Sequence, residues 1–145
     1  MSLETNQIIA SQLRPLLTRL TRKLRKLSPA DTELSHTERS VLVLLDQHGE
    51  LLSGELAAIE KITPQSMGQL LNHLTALDLV TKTVSLTDKR KVIIGLSKTG
   101  KMMIERVRNE RNEWLATAIS QACTPEDQKV LLAAIGPLTK LVDFN

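Results

Sequence analysis

Between Thr63 and Ala76 the chain carries a set of side chains suited to hydrogen bonding rather than to covalent chemistry: Gln65, Ser66, Gln69, Asn72 and His73, spaced so that they share one side of a helix. Carboxamides can pair both hydrogen-bonding groups of adenine in a major groove, and hydroxyl and imidazole groups can meet base edges or phosphates. A second constellation is Asp88-Lys89-Arg90-Lys91. Its lysines suit phosphates, and an arginine at such a tip suits a narrow minor groove, where negative potential is enhanced. Asp88 is placed to hold the Arg90 guanidinium or the tip backbone. The competing reading of both constellations is a solvated surface.

The parts of an enzyme are missing. There is no G-x-S-x-G, no H-E-x-x-H and no phosphate-cradling glycine-rich loop, with 6 glycines in all. His36, His48 and His73 are scattered and Cys123 is the lone cysteine, so neither a metal site, a cofactor nor an intrachain disulfide is expected. Cys123 sits where a helix C-terminus disfavours a thiolate, which reads as packing rather than redox sensing.

The elements that must position the polar side chains follow from caps and periodicity. Ser35-His36-Thr37-Glu38 has capping-box spacing and opens a helix with Val41, Leu42, Leu44 and Leu45, ended by Gly49. A short helix from about Ser53 to Glu60 buries Leu56 and Ile59. After the turn Lys61-Ile62-Thr63, Thr63 is the N-cap and Pro64 the first helical residue. Met67, Leu70, Leu71, Leu74 and Leu77 then share a buried face opposite the polar one. Two helices joined in this way form a helix-turn-helix. Beyond Leu79 the period becomes two, so Val80–Ser85 pairs with a run containing Val92, Ile94 and Leu96 around the tip 86–90. A basic hairpin behind a helix-turn-helix is a wing.

Flanking helices complete the expectation. Leu13, Leu17, Leu20, Leu24 and Leu27 form a helix-packing seam, with Pro15 marking a kink or early boundary and a linker at Ser28–Thr32. Ser97 caps a long helix to about Ala122, and Thr124-Pro125-Glu126-Asp127 starts a last one whose Val130, Leu131, Ile135, Leu138 and Leu141 need an apolar partner.

Composition agrees with this plan: 145 residues, 41% apolar and 24% charged, describe one globular domain with appended elements. Leucine is abundant and Trp114 and Phe144 are the only aromatics, which favours helix packing. The net charge of +3 conceals two basic stretches, Arg14–Lys26 and Leu79–Ile104, on an otherwise acidic body, a pattern that suits a polyanion. No apolar run reaches the roughly 20 residues that span a bilayer, so no membrane partner is expected and a cytoplasmic location is. Gly68 costs its helix about 1 kcal/mol against Ala.

In the order of these elements the sequence resembles the MarR family of bacterial winged-helix transcriptional regulators. The resemblance rests on Leu34-Ser35, Leu56-Ala57, Ile62-Thr63-Pro64-Gln65-Ser66-Met67, Leu77-Asp78-Leu79-Val80, the D-x-R wing signature Asp88-Lys89-Arg90, and Leu96-Ser97-Lys98-Thr99-Gly100 in place of L-T-x-x-G. It implies a mostly α fold: a winged helix-turn-helix (34–100) with a two-stranded β-hairpin wing, flanked by N-terminal (1–33) and C-terminal (101–145) dimerisation helices. It implies a homodimer on a pseudo-palindromic double-stranded DNA operator, acting as a repressor under a small-molecule effector. The candidate DNA-contacting set is Ser53, Thr63, Pro64, Gln65, Ser66, Gln69, Asn72, His73, Asp88, Lys89, Arg90 and Lys91. Two departures stand out: no Lys or Arg occurs between Ile62 and Thr81, and Asp78 replaces the usual glycine at the helix exit, where Asp tolerates a left-handed backbone. The alternative is a winged helix that binds protein instead of DNA, favoured by the acidic balance of Ser28–Asp78.

Overall fold

The computed structural model describes residues 1–28 and 33–145. The linker expected at Ser28–Thr32 therefore lies, beyond Ser28, outside the described residues. In chain order the elements are α1 (Leu3–Arg25), α2 (His36–His48), β1 (Leu51–Leu52), α3 (Ser53–Glu60), α4 (Pro64–Ala76), β2 (Val80–Val84), β3 (Val92–Leu96), α5 (Lys98–Ala122) and α6 (Pro125–Val142). They fall into two compact units, Met1–Arg108 and Asn109–Asn145.

The first unit contains the winged helix. Ser35 Oγ accepts the Glu38 amide (3.1 Å) while Glu38 Oε1 accepts the Ser35 amide (3.0 Å), so the reciprocal cap that opens α2 is complete. Gly49 ends α2 with φ +82°, a conformation that favours glycine. Val41, Leu42 and Leu45 from α2, Leu56 from α3, Met67, Leu71 and Leu74 from α4, and Ile94 from β3 are all but sealed from solvent and form the centre of the core. Burying a side chain of this kind contributes about 1.5–3 kcal/mol.

Three local expectations are corrected. Ile59 is half exposed because the inward face of α3 is taken by Leu56 and Ala57, and Ile59 lies off it. Leu77 is also exposed: it is the residue on which α4 ends, and Asp78 turns the chain at φ 59° so that Leu79 and Val80 enter the core instead. The early boundary weighed at Pro15 is absent: α1 begins at Leu3 and continues through Pro15 to Arg25.

The sheet has order β1-β3-β2, all antiparallel. The expected hairpin is present, with Val80 opposite Leu96 and Val84 opposite Val92, and the Ser85 amide donating to Lys91 O (2.9 Å) closes the tip. A third strand joins it, as Leu51 pairs with Ile94; two residues are too few to show a period. The hairpin is tied back to α4 and α5 at one place. Ser97 N donates to Leu79 O (3.1 Å), Ser97 Oγ accepts the Gly100 amide (2.9 Å), and Thr99 Oγ1 donates to Asp78 Oδ2 (3.1 Å). A Cβ on Gly100 would stand 2.1 Å from Leu79 O, so only glycine lets α5 start there. Met103 and Val107 carry the same core into the first turns of α5.

In the second unit, Thr124 Oγ1 accepts the Asp127 amide (3.1 Å) and Asp127 Oδ2 accepts the Thr124 amide (3.0 Å), which opens α6 as its sequence requires. Neither α1 nor α6 buries a single residue within the chain. Ile8, Leu16 and Leu17 on α1, and Val130, Leu132, Ile135 and Leu141 on α6, face solvent.

Candidate nucleic-acid interface

α4 is held by its apolar side, which leaves the other side to present polar groups. Met67, Leu71 and Leu74 are buried, whereas Gln65, Ser66, Gln69, Asn72 and His73 are exposed. Thr63 and Pro64 are exposed at the start of the helix, but the Thr63 hydroxyl is engaged in capping: it accepts the Ser66 amide (3.1 Å) and donates to Ser66 Oγ (3.0 Å). Ser53, half-buried at the start of α3, is the least accessible member of the expected set on the helix-turn-helix. Its helix opens with Glu55 Oε1 accepting the Leu52 amide (3.0 Å). Lys61, in the turn between the helices, takes the left-handed conformation at φ 56°.

Two of the exposed residues on α4 are held by partners from other elements. His73 Nδ1 pairs with Glu38 Oε2, linking α4 to the capping box of α2. Burial of Glu38 raises its pKa, but the Ser35 amide, the His73 hydrogen bond and charge, and the Ser35 hydroxyl outweigh that, and the net position is below the ordinary carboxylate value. An ionised carboxylate only accepts, so Nδ1 carries the hydrogen and Nε2 is the ring nitrogen left for a partner. Asn72 Oδ1 accepts from Lys82 Nζ on β2.

Lys82 was absent from the expected contact set, although it supplies the cation that α4 lacks. Strand alternation carried the signal: Lys82 lies two residues beyond buried Val80, on the same side of β2, and opposite buried Ile94. That is the side on which α4 leads into the strand.

At the wing tip, Asp88 Oδ1 accepts both the Arg90 amide (3.0 Å) and Arg90 Nε (3.3 Å), so the two roles weighed as alternatives for it are both filled. The Arg90 side chain is 91% exposed. Lys89 and Lys91 are exposed beside it. An exposed pair of this kind adds little to stability, about 0–1 kcal/mol, so its consequence is the orientation of the arginine.

The first unit also contains a cavity of about 360 Å³ with Asp46, Glu50, Glu105, Lys101 and Thr81 among its lining residues. Arg108 pairs with Asp46 (2.7 Å) nearby. The carboxylates make its walls a poor match for an anion. No group of His, Cys, Asp and Glu with metal-binding geometry occurs among the described residues. No helix among them is long and apolar enough to cross a membrane.

A helix-turn-helix with an exposed polar second helix, followed by a basic-tipped hairpin on a small antiparallel sheet, defines a winged helix-turn-helix protein. A MarR family model matches residues 32–91. Over 141 residues, 97% of each chain, the sequence is 28% identical to the HTH-type transcriptional regulator MT0903.1 of Mycobacterium tuberculosis. A solved structure from Pseudomonas aeruginosa, 28% identical, superposes with a TM-score of 0.82 over 99% of this chain and 100% of that one. An S. aureus MepR mutant, solved bound to an oligodeoxyribonucleotide, is 20% identical and gives a TM-score of 0.70 over 91% and 96% of the two chains. The chain is thus similar to winged-helix transcriptional regulators of the MarR family, the family match itself lying in residues 32–91. The DNA-binding regulator is thereby favoured over the protein-binding winged helix.

Proposed function

We propose that this chain is a sequence-specific DNA-binding transcriptional repressor that works as a cytoplasmic homodimer on a pseudo-palindromic operator. The observation that carries the reading is the pairing of an exposed polar face on α4 with a cationic wing tip on the same rigid core. On this reading Gln65, Ser66, Gln69, Asn72 and His73 enter the major groove, with Ser53, Thr63 and Pro64 at its edge. Arg90 enters the adjacent minor groove, oriented by Asp88, and Lys89 and Lys91 meet phosphates.

The dimer is supported by the exposed apolar side chains of α1 and α6, which a monomer would leave in water. A small-molecule effector would act by changing the spacing of the two recognition helices, because both must fit half-sites about one helical turn apart. Selection of bound duplexes from a random pool, repeated at two salt concentrations, tests the reading. It is expected to recover an inverted repeat with that spacing; sequence-blind, salt-labile retention would contradict it.

A further inference from the structure

We propose that Lys82 and Asn72 act as one composite hydrogen-bond donor that reads the O6/N7 edge of a guanine, so that Lys82 is a specificity-determining residue. The inference rests on the DNA-binding reading of α4 above.

The polarity of the pair is fixed by chemistry. An ammonium group has three donors and no acceptor, so Lys82 Nζ can only meet the oxygen of the Asn72 amide. An unencumbered asparagine offers one acceptor and one donor side by side, which is the match for adenine N6–H and N7. Here a cation sits on the acceptor, and a second N–H approaching that oxygen meets a positive charge already in place. What the pair presents outward is donors only: the two Asn72 Nδ2 hydrogens and the two Nζ hydrogens not given to Oδ1. Guanine presents two acceptors on its major-groove edge and adenine one acceptor and one donor, so a donor-only surface selects guanine.

The charge of Lys82 is not taken up elsewhere: among the described residues it makes no ion pair, and both it and Asn72 are exposed. Gln69 lies one turn earlier on the same face of α4 with no side-chain hydrogen bond of its own among the described residues. It retains both polarities for a neighbouring base pair.

The test compares sites selected from a random duplex pool by the full chain and by Lys82→Met and Asn72→Ala, at one salt concentration, with binding constants for guanine and adenine versions of each half-site position. Thermal melts check that both variants fold. The wild-type protein is expected to require guanine at one position per half-site, with a preference over adenine of about tenfold or more. Lys82→Met is expected to bring that preference to parity or turn it toward adenine, and Asn72→Ala to erase it at the same position, the other positions keeping theirs. If Lys82→Met weakens all sequences alike, lowers the log–log salt slope by about 0.9 and leaves base preference unchanged, Lys82 is a phosphate contact and the inference is overturned. An operator that the wild type selects but Lys82→Met reads identically defeats this inference alone. Absence of any operator for the wild type defeats the regulator reading as well.

Discussion

Glu38 joins two jobs that are usually separate, closing the cap of α2 through one oxygen and holding His73 of the recognition helix through the other. Because its folded pKa lies below the ordinary carboxylate value, it contributes stability at pH values above that ordinary value, and the contribution is lost as pH falls through the lower, folded one. Glu38→Gln keeps the capping geometry and removes the charge. It is expected to cost about 1 kcal/mol at neutral pH. The difference should shrink below about pH 4.3, as read by urea midpoints across pH. Arg90 is exposed and already aimed by Asp88, so Arg90→Ala should leave the melting temperature unchanged. Binding should weaken most at A·T-rich flanks, and the salt slope should flatten. Gly100 is the opposite case. Its Cβ would run into Leu79 O, so Gly100→Ala should destabilise the fold by several-fold more than an ordinary surface change, about 3 kcal/mol or beyond, measured by chemical denaturation.

Among the elements, the recognition helix and wing were legible because their signals are local. The Thr63-Pro64 start, the apolar stripe through Met67 and Leu74 and the Asp88-Lys89-Arg90 tip each need only a few neighbouring residues. What was not legible depended on tertiary placement. The two-residue strand β1 exists only because β3 offers it an edge, and the Glu38–His73 and Lys82–Asn72 contacts join residues 35 and 10 positions apart. The outward turn of Ile59 and Leu77 follows from where α3 and α4 meet the core rather than from periodicity. Gly68 is a distinct case within α4: nothing lies within 4 Å of where its Cβ would be, so packing does not require glycine. Gly68→Ala should therefore stabilise the protein by up to about 1 kcal/mol by denaturant midpoint. If DNA approaches the α4 backbone there, the same variant loses affinity.

At the scale of the whole molecule, the winged helix has a sealed core, while the apolar residues of α1 and α6 are left in water. That asymmetry is the physical argument for a second copy of the chain. Ile135→Glu, at a position exposed in the chain itself, should leave secondary structure intact by circular dichroism yet yield a monomer in sedimentation velocity, with operator affinity reduced at least tenfold. The most direct single measurement is the mass of the complex formed on a selected inverted repeat, read by sedimentation equilibrium with the duplex held at low concentration. Two protomers of 16.1 kDa per duplex are expected, with a single half-site bound far more weakly. One protomer per duplex, with equal affinity for half-site and full repeat, would contradict that expectation.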